Sequence, residues 1–145
     1  RLINGVESFA LYASGNQTSE TLYEFVILIR GKPGSDPVQL RVLGISFVSA
    51  TNSLTARMNE SLHGDDCSFA NLTPETEFCV DTRVADDDTL LEKGEFVALL
   101  YKVDPSNALG TEEDFEITLT PKTGLLETMS LTTPELVLAQ KIRLR

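Results

Sequence analysis

Phe96-Val97-Ala98-Leu99-Leu100-Tyr101 and, after a polar gap, Phe115-Glu116-Ile117-Thr118-Leu119-Thr120 both read with a period of two residues. Successive side chains of a strand point to opposite faces, so Phe115, Ile117 and Leu119 share one face while Glu116, Thr118 and Thr120 share the other. Phe96, Ala98 and Leu100 alternate with Val97, Leu99 and Tyr101 in the same way. Further on, Leu136, Leu138, Ile142 and Leu144 fall on one face of a last run. Nothing between Leu91 and Leu144 carries the 3.6-residue spacing of a helix, so this third of the chain reads as consecutive strands.

The rest of the chain extends the pattern. Ser8 to Ala13 and Leu22 to Arg30 are two strands joined by a turn at Ser14-Gly15-Asn16-Gln17. The second is apolar on both faces from Phe25 to Ile29, as in a central strand covered on both sides. Lys32-Pro33-Gly34-Ser35-Asp36-Pro37 is a turn, because prolines cannot donate to a ladder. Val38 to Val48 is the next strand, with a bulge at Gly44. Ser53 to Met58 is a short strand, Asn59 to Thr76 a long polar excursion, Glu77 to Val84 a returning strand, and Asp86-Asp87-Asp88 a turn. The expected fold is all-β: an Ig-like antiparallel β-sandwich of about eight or nine strands, forming one domain over residues 1–145.

Composition narrows the function. A hydrophobic content of 41% supports a folded core rather than a disordered chain. The formal charge of −10 repels phosphate backbones and anionic lipid, so neither nucleic acid nor a membrane surface is expected as a partner. The longest apolar run, Phe96 to Tyr101, is far shorter than the ~20 residues that span a bilayer. Partners are expected to be neutral, cationic or identical.

Cys67 and Cys79 enclose a stretch containing Gly64-Asp65-Asp66, Asn71 and Pro74, a loop that brings the two sulfurs together. We expect a disulfide, which in the chain-entropy account contributes on the order of 3 kcal/mol and places the chain outside the cytoplasm. The bland alternative is two unrelated buried thiols; no Cys/His spacing offers a zinc site. Three Asn-x-Ser/Thr triplets, at Asn16, Asn59 and Asn71, lie in polar segments and are candidate N-glycosylation sites. Any one of them arises readily by chance in a Ser/Thr-rich chain.

Catalysis finds little support. His63 is the only histidine, it falls in the polar excursion, and no nucleophile-elbow, Walker, dinucleotide or zinc-protease pattern occurs. Acidic clusters at Asp65-Asp66, Asp86-Asp87-Asp88 and Glu112-Glu113-Asp114 are the plausible ligands for a hard cation, but their spacing is not that of an EF-hand. Turns on an acidic chain collect aspartate for local hydrogen bonding, which is the simpler reading. No carboxylate pair stands out for glycoside hydrolysis. No catalytic residue, metal site or cofactor is therefore expected, and the chain is not read as an enzyme.

Leu22-Tyr23-Glu24-Phe25-Val26-Ile27-Leu28 leading into Pro33-Gly34-Ser35-Asp36-Pro37-Val38-Gln39-Leu40, then Gly94-Glu95, Ile117-Thr118-Leu119-Thr120-Pro121 and Leu131-Thr132-Thr133-Pro134, resembles archaeal flagellins (archaellins). The likeness covers most of the chain and is weakest from Asn52 to Val84. It implies a filament subunit whose N-terminal pilin-like apolar helix packs in the filament core, while an outer β-sandwich forms the N-glycosylated surface. That helix is not in this sequence, and Arg1 is expected to lie just past its end. A disulfide is not a general feature of the family. The implied function is a structural subunit of an archaellum, extracellular and self-assembling, used in motility or adhesion. The alternative is a β-sandwich anchoring module of the archaellum machinery that contacts the surface layer or related subunits.

Overall fold

In this computed structural model, residues 5–84, 90–122, 124–135 and 141–144 are described, the side chains of residues 63, 82–84 and 141 excepted. The first two strands, β1 (Val6–Asn16) and β2 (Thr21–Gly31), form a long antiparallel hairpin. Its turn falls after Asn16, later than the predicted Ser14–Gln17, because the Asn16 carboxamide oxygen accepts the backbone N–H groups of Thr18 and Ser19. Gly15 is required there: a Cβ would stand 2.0 Å from the Thr21 carbonyl oxygen.

The predicted strand from Val38 to Val48 is broken. β3 (Val38–Gln39) gives way to a 3-10 turn at Leu40–Val42, and β4 (Gly44–Ser49) follows. Gln39 caps the turn by accepting from the Arg41 N–H, and the turn directs Leu40 and Leu43 into the core. Gly44 marks no bulge, since the register of β4 is continuous with both neighbours. β5 (Ser53–His63) runs past the expected end at Met58, so Asn59 and Ser61 lie in a strand. Two 3-10 turns, Gly64–Asp66 and Phe69–Asn71, lead to β6 (Glu77–Val84). Then come β7 (Leu90–Leu91), β8 (Phe96–Lys102), β9 (Asp114–Thr120), β10 (Glu127–Thr132) and β11 (Lys141–Arg143). The Asp86-Asp87-Asp88 turn and the positions of Leu136 and Leu138 lie outside the described residues.

Among the described residues the main sheet has nine strands in the order β10-β9-β4-β5-β6-β8-β2-β1-β11, and β3 pairs with β7 in a separate ribbon. The pairing is antiparallel with one departure from expectation: β5 and β6 run parallel. The excursion between them crosses over the sheet instead of turning back, which is what a parallel pair requires.

The sheet folds onto itself in the manner of a sandwich. Phe25 of β2 and Tyr101 of β8 meet Phe47 of β4, with ring centroids 5.5 and 6.0 Å apart, and Phe115 of β9 packs on both Phe25 and Phe47. Each such aromatic pair adds about 0.5–1.5 kcal/mol beyond the area it buries. The two margins meet at one end, where Gly5 bridges Leu125 and the Ser8 backbone N–H and hydroxyl both donate to a Glu127 carboxylate oxygen. That pairing satisfies the buried Ser8 hydroxyl.

Candidate functional site: the braced outer layer and its asparagines

β8 is buried on both faces. Val97, Leu99 and Tyr101 join the inner core, whereas Ala98 and Leu100 lie on the opposite face in a second cluster with Cys67, Leu72 and Cys79. Val26, Leu28, Leu62 and Phe69 pack against this cluster. The fully covered strand is thus β8, while Val26 and Leu28 on β2, the strand expected to be covered on both sides, are half-buried on their outer face.

Covering the outer face is the task of the crossing segment between β5 and β6. Cys67 and Cys79 are bonded to each other with their Cα atoms 5.5 Å apart, as expected, so the segment is tied to β6. Carboxylates and a lysine fix the rest. Glu77 accepts from the Thr73 N–H at 3.1 Å and from the Asn59 carboxamide nitrogen at 3.0 Å. The Lys102 ammonium donates to the Phe69 carbonyl at 2.5 Å. Glu75 accepts from the Asp104 N–H and the Asn107 carboxamide.

Glu75 also holds a left-handed backbone conformation at φ 75°, unusual for a residue with a side chain. Its N–H donates to Lys102 O, and the Tyr101 hydroxyl donates to its carbonyl. Burial, with a smaller contribution from the Glu75 charge, raises the Tyr101 phenol well above the ordinary tyrosine range. It therefore remains a neutral donor, and the contact pins the segment to the inner core. Nearby, the carboxyl of Asp104 is lowered by the Ser106 backbone N–H and then by the Ser106 hydroxyl, both of which donate to it.

The three candidate glycosylation asparagines occupy unlike settings. Asn16 is exposed at the hairpin turn, with its oxygen engaged and its amide nitrogen without a partner among the described residues. Asn71 is exposed in the second 3-10 turn, and its amide nitrogen donates to the Asp66 carbonyl at 3.0 Å. Asn59 is half-buried in β5, not in a loop, with its nitrogen committed to Glu77. His63 closes β5 instead of sitting in a loop; its side chain is outside the described residues.

The acidic clusters separate in the same way. Glu113 accepts from the Gly110 N–H, and Asp114 accepts from the Thr132 hydroxyl, so both serve local turn and strand geometry. Asp65 and Asp66 lie in the first 3-10 turn. Among the described residues no group of three or more His, Cys, Asp or Glu side chains is placed to hold a metal. The bracing roles of Glu75, Glu77 and Lys102 escape a sequence reading; the one available signal is the acidic pair flanking Thr76 just before a cysteine-bearing strand.

No protein-family model and no curated protein matches this sequence. Solved structures do match. The crystal structure of archaeal flagellin FlaB1 from Methanocaldococcus jannaschii superposes with a TM-score of 0.83 at 18% identity, covering 97% of this chain and 96% of that one. The archaeal flagellum of Methanospirillum hungatei strain JF1 gives 0.65 at 13% identity over 95% of this chain and 70% of that one. The archaellum periplasmic stator protein FlaG from Sulfolobus acidocaldarius gives 0.54 at 12% identity, over 88% and 99%. At these identities the likeness shows the fold: the chain has the β-architecture that the flagellin and the stator protein share.

Proposed function

We propose that this chain is a structural component of an archaellum, its 145 residues acting as one β-domain on the outer surface of the filament. The observation that carries this reading is the near end-to-end superposition, in both directions, with an archaeal flagellin. A stator protein fits less well although its whole length is matched. The domain works by presenting a surface: the carboxylates of Glu75 and Glu77 and the ammonium of Lys102 brace its outer layer.

Assembly is with copies of the same chain, and the setting is extracellular, which agrees with the disulfide. The filament's polymerisation would rest on the pilin-like helix that the archaellin resemblance implies, with this domain making the outer contacts. Asn16 and Asn71 are the sites we assign to N-glycans, since both are exposed. Asn59 would have to give up its bond to Glu77 first.

The second reading, a cell-anchored module of the archaellum machinery, is favoured by the likeness to the stator protein and to its complex with FlaF, which gives a TM-score of 0.55. Antibody raised against this domain and applied to cells that carry the sequence separates the two. Label along the length of surface filaments supports the subunit reading. Label confined to the cell body overturns it in favour of the anchor.

A further inference from the structure

The outward face of β5, β4, β9 and β10 differs from the rest of this acidic surface. Thr55, Ser46, Thr118 and Thr128 form a straight row across the four strands, set by the register of each pair. The row carries no charge. On one side of it lies Arg57, exposed, its guanidinium lying over Gly44 so closely that a Cβ there would meet Nη1 at 2.3 Å. Among the described residues that guanidinium has no ion-pair partner. On the other side is a depression of about 390 Å³, lined by Val48, Asp114, Glu116 and Leu131 among others. Glu116 is exposed and directly opposite Val48, itself 41% exposed.

Arg57 and Glu116 are therefore opposite, uncommitted charges on one face. They lie two strands and four residues apart, roughly 16 Å by strand spacing and rise, with Ser46 midway between them. A twofold axis that runs parallel to the face, passes over Ser46 and is perpendicular to the Arg57–Glu116 line places each Arg57 of a pair over the other's Glu116. We propose that this face is a self-complementary docking surface for a second copy of this chain, with Arg57 of each entering the acid-lined depression of the other. The contact is isologous, and the hydroxyl row between the two charge pairs supplies hydrogen-bonding groups without repulsion.

By strand spacing and rise the face spans roughly 20 Å by 20 Å, or about 400 Å², about half of what each partner buries in a stable interface. The pairing is consequently weak for free domains and becomes effective when many copies are held in register. Resting on the filament reading, the two copies belong to neighbouring filaments, because successive subunits of a polar helix are related by a screw operation, not by a twofold. The surface then bundles filaments.

The test is sedimentation equilibrium of the 145-residue chain at high concentration and low salt, for wild type, Arg57→Glu, Glu116→Arg and an equimolar mixture of the two variants. The wild type is expected to self-associate in a salt-sensitive manner. Each variant alone should pair at least about tenfold more weakly, since both of its contacts become repulsive. In the mixture both contacts are attractive again, so pairing returns; a folding defect would not be rescued in this way. A wild type that stays monomeric throughout, or variants that associate as the wild type does, would overturn the proposal. Either result leaves the subunit reading intact, because antibody labelling along the filament does not depend on bundling.

Discussion

The two faces of β8 are held in different ways. Its inner face meets side chains from strands on the far side of the folded sheet, and the large residues Tyr101, Phe25, Phe47 and Phe78 are fully buried there. Its outer face meets a segment with no ladder of its own, covered by a handful of side chains including both cysteines. A small apolar cluster offsets little of the entropy of ordering a segment. The outer layer accordingly carries the disulfide, the Glu75 and Glu77 hydrogen bonds and the Lys102 contact, which the inner core does without. Apolar area stabilises the one, and covalent and polar fastening the other.

The comparison breaks if damage to the two faces has the same character. Phe47→Ala removes a ring that touches Phe25, Phe115 and Tyr101; truncations of this kind cost about 3–5 kcal/mol. It should lower the midpoint of chemical denaturation for the whole chain. Replacing both Cys67 and Cys79 by alanine is next, at about 3 kcal/mol for a loop of this size. Here hydrogen exchange is the informative measurement. Amides bonded within the two 3-10 turns, those of Cys67, Asn71 and Leu72, should lose more protection than the paired amides of β2 and β8, which fall only by the change in global stability. Uniform loss across the sheet would mean that outer and inner layers form one cooperative unit.

Sequence patterns exposed the inner layer far better than the outer one. Alternation is a direct consequence of facing a core on one side, so β9, β6 and the β1–β2 hairpin were legible from Phe115, Ile117 and Leu119 and their counterparts. β8 was legible as a strand, yet the covering of Ala98 and Leu100 on its outer face was not assigned to any segment. The continuation of β5 through Asn59, Glu60 and Ser61 was hidden because its side chains bind locally, as in the Asn59 bonds to Ser61 and Glu77. A polar strand next to a parallel partner reads like a loop. The break after Gln39 was likewise invisible, since the apolar run Leu40, Val42, Leu43 and Ile45 is also what a strand covered on both faces would show. At the candidate site the cysteine pairing was legible, whereas the bracing carboxylates were not, because hydrogen bonds to a crossing segment leave no periodic trace.

Smaller perturbations sharpen the contrast. Glu77→Ala leaves the Thr73 N–H and the Asn59 carboxamide without their acceptor, for a loss of about 1–2 kcal/mol. Its effect should appear as faster proteolysis within the crossing segment and little change in the melting of the inner strands. The smallest effect expected is at Asp104. Its carboxyl is lowered in the folded state by the Ser106 donors, so its contribution is present above the unfolded value and is lost as pH falls through the folded one. Carbon-detected NMR should show this residue titrating below the usual aspartate range. A normal midpoint would mean that the Ser106 donors do not hold this carboxylate in solution.

Imaging of surface filaments from cells that carry this sequence, at a resolution that traces strands, tests the central claim most directly. The account predicts this folded sheet at the outer radius, with its nine-strand order, the Cys67–Cys79 bridge, and added density on Asn16 or Asn71. Filaments whose outer domains trace to a different chain, with this one found only at the cell envelope, would contradict it.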